Sequence, residues 1–190
     1  MFRFKMVGEY NVDKLNKLSN SHSDGDWDEY NWRQRINKVH RKTKTIPILY
    51  DTEYSRNRGN ETQHYSIYRE EINNIERLLQ EVYSNNGTIL RFIITNLPAG
   101  CKVGLHKDDP LIDKNTSSSL KLDRRIHIPI KTNKEVIFGI ENEIKHLSTN
   151  QIWEINNHNC NHWVENNGDT DRLHCILDYR DDMEYKTTLI

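Results

Sequence analysis

From Thr88 onward the chain is a series of short apolar runs separated by turn residues, and this spacing is what most restricts the fold. The runs begin about every 8 to 12 residues, which is typical of an antiparallel β-sandwich or jelly roll. The predicted strands are residues 89–97, 102–107, 124–131, 135–140, 143–147, 151–155, 162–165 and 172–178. The sequence therefore predicts a mainly β core.

The residues before this series have helical character. Apolar residues recur at helical spacing over residues 69–83, and Asn85-Asn86-Gly87 supplies a stop signal. A shorter helix is predicted over residues 12–18. A length of 190 residues fits one domain, so we predict a mixed N-terminal region (1–87) and a β core (88–180) in a single unit.

Composition excludes several classes of partner. The chain has 27 Lys and Arg against 28 Asp and Glu, a net charge of −1, so no large positive field for nucleic acid is expected. No apolar stretch reaches the roughly 18 residues of a membrane span, and the N-terminus lacks a secretory apolar segment. Three cysteines without Cys-x-x-Cys spacing do not suggest a disulfide framework. We therefore predict a cytoplasmic protein.

The segment around His106 contains the first candidate metal ligands. Residues two apart on a strand face the same side, so His106 and Asp108 can converge on one ion. His162 is the candidate third ligand. Two histidines and one carboxylate leave three adjacent positions of an ion open, as in the non-haem Fe(II) oxygenases.

A second pattern is the alternation around Arg172. Arg172 and His174 share one face of the predicted strand, and a guanidinium on an inward face needs an anion. The simplest partner is a protein carboxylate such as Asp171 or Glu154. A bound carboxylate ligand is the alternative.

The same alternation occurs around Arg125. Arg125 and His127 share a face opposite Ile126 and Ile128, so two separate Arg-x-His strands direct cations inward. Two such strands could together receive a dicarboxylate. This observation favours the ligand alternative for Arg172.

These segments occur in a recognisable order. They are Leu97-Pro98-Ala99-Gly100 before His106 and Asp108, residues 124–130 with Thr132-Asn133, Trp153-Glu154-Ile155-Asn156-Asn157 before His162 and Asn166, and Arg172-Leu173-His174 with Asp178. The set resembles the aspartyl/asparaginyl β-hydroxylase family of 2-oxoglutarate- and Fe(II)-dependent oxygenases, including relatives that hydroxylate free proline. The resemblance covers about residues 27–179, with a looser N-terminal part that includes Arg33 and His40.

The resemblance implies a double-stranded β-helix, a cupin-like jelly roll, with flanking N-terminal helices. It implies that His106, Asp108 and His162 bind Fe(II). The implied reaction uses 2-oxoglutarate and O₂, releases succinate and CO₂, and hydroxylates a substrate C–H bond.

The resemblance also implies roles for the two Arg-x-His strands. Arg172 is expected to pair with the distal carboxylate of 2-oxoglutarate. Arg125, with His127 as a lesser candidate, is expected to help hold the carboxylate next to the keto group.

The substrate implied is an amino acid, either free or as a side chain in a peptide or protein. The animal members that give the family its name lack the carboxylate that Asp108 supplies, so this chain is closer to the bacterial and viral branch. The alternative is a non-catalytic cupin-like protein that binds a metal or another ligand. The sequence does not determine the oligomeric state.

A zinc-stabilised structural protein is a further alternative. His158, Cys160 and His162 alternate along the chain, and a structural zinc site would need a fourth ligand, such as Cys101 or Cys175.

Four further histidines and one acidic segment are given no functional role. His22, His40, His64 and His146 are expected at the surface or in loops, and not as ligands. The acidic residues 178–184 are expected to form a solvated end.

Overall fold

A seven-stranded sheet packs face to face with a four-stranded sheet in the computed structural model, which describes residues 2–50, 59–83, 85–108 and 123–181. The strands are β1 (Phe4–Glu9), β2 (Lys44–Tyr50), β3 (Asn60–Glu61), β4 (Thr88–Leu97), β5 (Lys102–His106), β6 (Asp123–Lys131), β7 (Val136–Ile140), β8 (Glu143–Lys145), β9 (Gln151–Ile155), β10 (His162–Asn166) and β11 (Arg172–Arg180). The helices are α1 (Asp13–Asn20), α2 (Asp24–Glu29), α3 (Trp32–Ile36) and α4 (Tyr65–Val82), with a 3₁₀ helix at Lys38–His40.

Strand order defines the architecture. The large sheet runs β1-β9-β6-β11-β4-β2-β3 and the small sheet runs β5-β10-β7-β8, and their strand pairs are antiparallel. Two packed antiparallel sheets joined in this way form a jelly roll. The prediction of a mainly β fold with N-terminal helices is therefore confirmed, and each of the eight predicted strands is present.

The main hydrophobic core lies between the large sheet and the helices. On β11, Leu173, Cys175, Leu177 and Tyr179 face this core, and the alternating residues face the small sheet. Helix α4 covers the core with an apolar stripe of Tyr68, Ile72, Ile75 and Leu79, all fully buried. The helix begins one turn earlier than predicted because Tyr65 and Tyr68 extend the same stripe.

A smaller core fills the space between the two sheets. Phe138 of β7 and Trp153 of β9 lie on opposite sheets, and Phe4 of β1 contacts both rings edge to face, with centroids 5.7 and 6.4 Å apart. This apolar cluster joins the sheets next to the pocket described below.

The N-terminal region contributes strands as well as helices. Strand β1 pairs with β9 and β2 pairs with β4, so the large sheet includes residues from both sides of position 88. Neither strand was predicted. Pro47 interrupts the apolar run of β2 and argues against a strand inside a sheet, but it is tolerated here beside a register shift between Pro47 and Leu49. None of the helices in the described residues is long and apolar enough to cross a membrane.

We expect Ile94→Ala to lower the free energy of unfolding by about 2–5 kcal/mol, because Ile94 of β4 is fully buried and its truncation leaves a cavity. Ile144→Ala is the matched control, since Ile144 of β8 is 61% exposed. Urea denaturation followed by circular dichroism measures both. Equal losses in the two variants would contradict the assigned core.

Candidate active site

Neighbouring strands of the small sheet bring two histidines together. His106 at the end of β5 lies directly opposite His162 at the start of β10, and the centroids of the two rings are 4.1 Å apart. Asp108 follows two residues later on the same side, with Oδ1 3.5 Å from His106 Nε2. One ligand atom from each of the three residues lies within 4.8 Å of the others. The three predicted ligands therefore form one cluster.

Backbone carbonyls orient both rings. His106 Nδ1 lies 2.8 Å from the carbonyl oxygen of Gly104, and His162 Nδ1 lies 3.5 Å from that of Cys160. A proton on Nδ1 of each ring donates to these carbonyls and leaves the lone pair on Nε2, the atom that would coordinate a metal. Burial lowers the pKa of His162 to about 4, so this ring is neutral near pH 7, the form that binds a metal.

Two donors fix the carboxylate of Asp108. Its Oδ2 accepts hydrogen bonds from Arg125 Nη1, at 2.5 Å, and from the side-chain amide of Asn157, so Oδ1 is left facing His106. Burial by itself would raise the pKa of Asp108, but the positive charges of Arg125 and its neighbours hold that pKa well below the usual range. The carboxylate is therefore ionised and held in one orientation.

Arg125 also reaches across the sheet to Asp178. Its Nε donates to Asp178, which lies opposite Arg125 in the pairing of β6 with β11, and Arg91 Nε approaches the same carboxylate at 2.9 Å. Asp178 and Asp181 are only 5% and 6% exposed, so the expectation of a solvated acidic end is wrong for these two residues. Residues 182–184 of that segment lie outside the described residues. The contact of Arg125 with a cosubstrate carboxylate stays a prediction.

Arg172 is buried, with no counter-ion among the described residues. In the described part of the chain no carboxylate lies within ion-pair distance of its guanidinium, and its Nε has no hydrogen-bond partner. Its Nη2 is 2.7 Å from Nδ1 of His174. Burial lowers the pKa of Arg172 to about 9, which leaves it charged near pH 7.

The two protein carboxylates considered as partners for Arg172 are engaged elsewhere. Asp171 accepts hydrogen bonds from the Asn96 side chain and the Ala99 backbone. Glu154 pairs with Lys5 and Arg124. Neither of the two carboxylates predicted as partners contacts Arg172 in the described structure, which favours an anion from outside the described residues.

His127 and His174 occupy the positions that strand alternation predicts. Their rings lie edge to face, with centroids 5.8 Å apart, and both are buried. Burial and the charge of Arg172 hold both pKa values well below the usual range, so both rings are neutral. Nδ1 of His127 and Nε2 of His174 have no hydrogen-bond partner in the described structure.

The cluster and Arg172 line one pocket between the sheets. The empty space in this pocket, counted together with the part open to solvent, is about 480 Å³. Its walls also include the following residues: Arg33, His40, Thr43, Thr95, Leu97, Val103, Arg125, His127, Phe138, Val164 and Ile176.

Two N-terminal residues in this wall were not assigned a role from sequence. Arg33 of α3 places Nη2 3.2 Å from His40 Nε2, and the His40 ring packs edge to face on His106 at 5.1 Å. His40 is 5% exposed, so the expectation of a surface position is wrong for it. His22 and His64 lie in turns, as the loop alternative of that expectation allows, although the side chain of His22 is only 3% exposed and His64 is 8% exposed. The sequence signal that could have identified Arg33 and His40 as site residues was their place in the looser N-terminal part of the family resemblance.

The alternating residues His158, Cys160 and His162 do not assemble a zinc site in the structure described. The groups of three potential ligands there are His106, Asp108 and His162, and His22, Asp26 and His64. His158 and Cys160 belong to neither.

Comparison with known families identifies the chain. The family model described as aspartyl/asparaginyl beta-hydroxylase matches residues 8–182, so the chain belongs to this family. A comparison with curated protein sequences gives no match.

Solved structures share the fold at low sequence identity. A 2OG-Fe(II) oxygenase family oxidoreductase from Burkholderia pseudomallei has a TM-score of 0.56 at 11% identity, with 93% of each chain covered. A prolyl hydroxylase from Trichoplax adhaerens, in complex with a hypoxia inducible factor peptide, has a TM-score of 0.62 at 12% identity, covering 98% of this chain and 87% of that one.

A viral example is similar. The collagen prolyl hydroxylase of Paramecium bursaria Chlorella virus-1 has a TM-score of 0.54 at 6% identity, covering 94% of this chain and 96% of that one. The family and this fold support a hydroxylase of the 2-oxoglutarate- and Fe(II)-dependent oxygenase class.

We expect Asn157→Ala to weaken divalent metal binding at His106, Asp108 and His162 by about 10- to 100-fold, because Asp108 loses a hydrogen bond that orients it. Asn159→Ala is the matched control, since Asn159 lies in the same loop and is exposed. Calorimetric titration with Co²⁺ measures the affinity. Unchanged affinity in Asn157→Ala would show that Asn157 does not position the carboxylate.

Proposed function

We propose that this protein is a 2-oxoglutarate- and Fe(II)-dependent dioxygenase that hydroxylates an amino acid, either free or within a peptide or protein. The observation that carries the proposal is that one pocket contains both a His-Asp-His cluster and a buried arginine, Arg172, with no carboxylate partner among the described residues. The first feature suits a metal and the second suits a carboxylate.

The donor set fits Fe(II). His106 and His162 would offer Nε2 and Asp108 would offer Oδ1, a set typical of non-haem iron sites with open positions for other ligands. When bound, Fe(II) and 2-oxoglutarate supply the O₂ chemistry that couples release of succinate and CO₂ to C–H hydroxylation. The protein supplies binding, orientation and exclusion of water.

Arg172 is suited to bind the distal carboxylate of 2-oxoglutarate. Its fork of N–H donors matches a carboxylate in two parallel hydrogen bonds, and its Nε, which has no partner among the described residues, could make one of them. The apolar side chains of Leu97 and Ile176 line the same pocket and limit the water that competes for the guanidinium. An anion there removes the cost of an isolated buried charge.

Arg125 lies on the side of the pocket that contains Asp108. It holds Asp108 in place and is itself neutralised by Asp178. We propose that a free N–H of Arg125 or the ring of His127 contacts the carboxylate next to the keto group. Both side chains line the pocket.

Arg33 supports a substrate that carries an anionic group near the reacting carbon. It lines the pocket, and no carboxylate of the described residues lies within ion-pair distance of it. Burial and the nearby charge of Arg91 lower its pKa to about 10, so it stays charged at pH 7. A free amino acid and an acidic residue in a peptide both meet this requirement.

The solved relatives support a polypeptide substrate as one of the two options. One is described as a collagen prolyl hydroxylase, and another is in complex with a hypoxia inducible factor peptide. The substrate of this chain is therefore sought among peptides as well as free amino acids.

We expect His162→Ala to abolish conversion of 2-oxoglutarate to succinate, because the metal cluster loses a ligand. The fold should remain, since the main core lies on the other face of the large sheet. His146→Ala is the control, because His146 lies outside the cluster. Succinate production by a folded His162→Ala variant at the wild-type rate would contradict the proposal.

We expect Arg172→Gln to raise the apparent KM for 2-oxoglutarate by about tenfold or more, because a hydrogen bond to a charged group contributes about 1.5–3 kcal/mol. Steady-state kinetics of succinate release, with kcat and KM determined separately, measures the effect. Arg77→Gln, on the exposed side of α4, is the control. An unchanged KM would mean that Arg172 is structural.

A further inference from the structure

A second group of potential metal ligands lies on the helical side of the protein. His22 lies in the turn between α1 and α2, Asp26 lies in α2, and His64 directly precedes α4. One ligand atom from each lies within 4.8 Å of the others. The group shares no residue with the cluster of His106, Asp108 and His162.

The ring of His22 is oriented by a buried hydroxyl. Its Nε2 is 3.0 Å from Oη of Tyr68, which is fully buried in the main core. A proton on Nε2 donates to that hydroxyl and leaves the lone pair on Nδ1, which lies 3.6 Å from Asp26 Oδ2. A hydrogen bond at one ring nitrogen that fixes the other as a ligand is the usual arrangement of metal-binding histidines.

The carboxylate of Asp26 is held in the same way. Its Oδ2 accepts hydrogen bonds from the backbone N–H of Ser23 at 2.8 Å and from Ser23 Oγ at 2.9 Å. These bonds, the backbone one most strongly, lower the pKa of Asp26 and keep it ionised. Carboxylates that bind metals are commonly oriented by hydrogen bonds of this kind.

The two imidazoles lie close together within a group of aromatic side chains, in which Tyr68 stacks on His22 and Tyr30 packs against His64. The His22 and His64 rings are 4.8 Å apart at 88°, and the side chain of His22 is 3% exposed. Burial, and then the proximity of His64, lower the pKa of His22, so it is neutral near pH 7. A neutral ring is the form that coordinates a metal.

We propose that His22, Asp26 and His64 form a second metal site that binds a divalent transition metal of the Zn²⁺ type. Two imidazoles and one carboxylate suit Zn²⁺, and water fills the fourth position of its tetrahedral coordination. Because the side chain of Asp26 is 30% exposed, the ion and the water can enter the site from the side on which Asp26 lies. The bound ion links the turn after α1 and helix α2 to the start of α4.

The test uses the full-length protein freed of metal by chelation, with the first cluster removed by His106→Ala and His162→Ala together. We expect calorimetric titration with Zn²⁺ alone to find one equivalent bound and Zn²⁺ to raise the melting temperature. Adding His64→Ala should weaken Zn²⁺ binding by about 100-fold or more, beyond the usual effect of changing a residue that only orients a ligand. His146→Ala in the same background should have no effect.

A second substitution keeps the test decisive if His64→Ala fails to fold. Asp26→Asn preserves the size of the side chain and removes the charged ligand, so it should weaken Zn²⁺ binding while the circular dichroism spectrum stays unchanged. The proposal is overturned if the double variant binds no Zn²⁺, or if bound Zn²⁺ is insensitive to both substitutions.

Discussion

A buried guanidinium between two carboxylates fixes the geometry on which the candidate active site depends. Arg125 carries its charge into the space between the sheets, where an unpaired charge is costly, and Asp108 and Asp178 neutralise it from opposite sides. Because Asp178 lies opposite Arg125 in the large sheet, the register of β6 and β11 sets where Arg125 points. Arg125 then sets which oxygen of Asp108 faces the two histidines.

The Arg-x-His pattern occurs on two strands of this fold, and its arginine has different partners in each. Arg125 and Arg172 both precede a histidine by two positions on strands that face the same space, yet Arg125 meets two carboxylates and Arg172 meets none among the described residues. Neighbouring strands and loops supply those partners. This difference separates an arginine that positions a carboxylate from one suited to bind an anion.

Period-two alternation was enough to predict several features from the sequence. It placed His106 with Asp108, and Arg172 with His174, on shared faces, and the strand series predicted the jelly roll. These features depend on residues close together in the chain. The start of α4 also followed from helical spacing, to within one turn.

The features missed depend on contacts between distant segments. Asn157 holds Asp108 from another loop, and Asp178 is buried because Arg125 and Arg91 come from adjacent strands. His40 reaches the site only because the N-terminal region folds against β5. Local patterns carry no information on such pairings. For this reason the sequence analysis predicted a solvated position for Asp178, which is in fact buried.

Anaerobic reconstitution with Fe(II) and 2-oxoglutarate, followed by visible absorption, tests the central claim most directly. Chelation of Fe(II) by the keto acid produces a weak charge-transfer band, which the account predicts for the wild type and not for His106→Ala. A wild-type protein that binds Fe(II) but shows no band and no affinity for 2-oxoglutarate would contradict the account. The chain would then be a cupin-like binding protein that keeps the fold of an oxygenase without its chemistry.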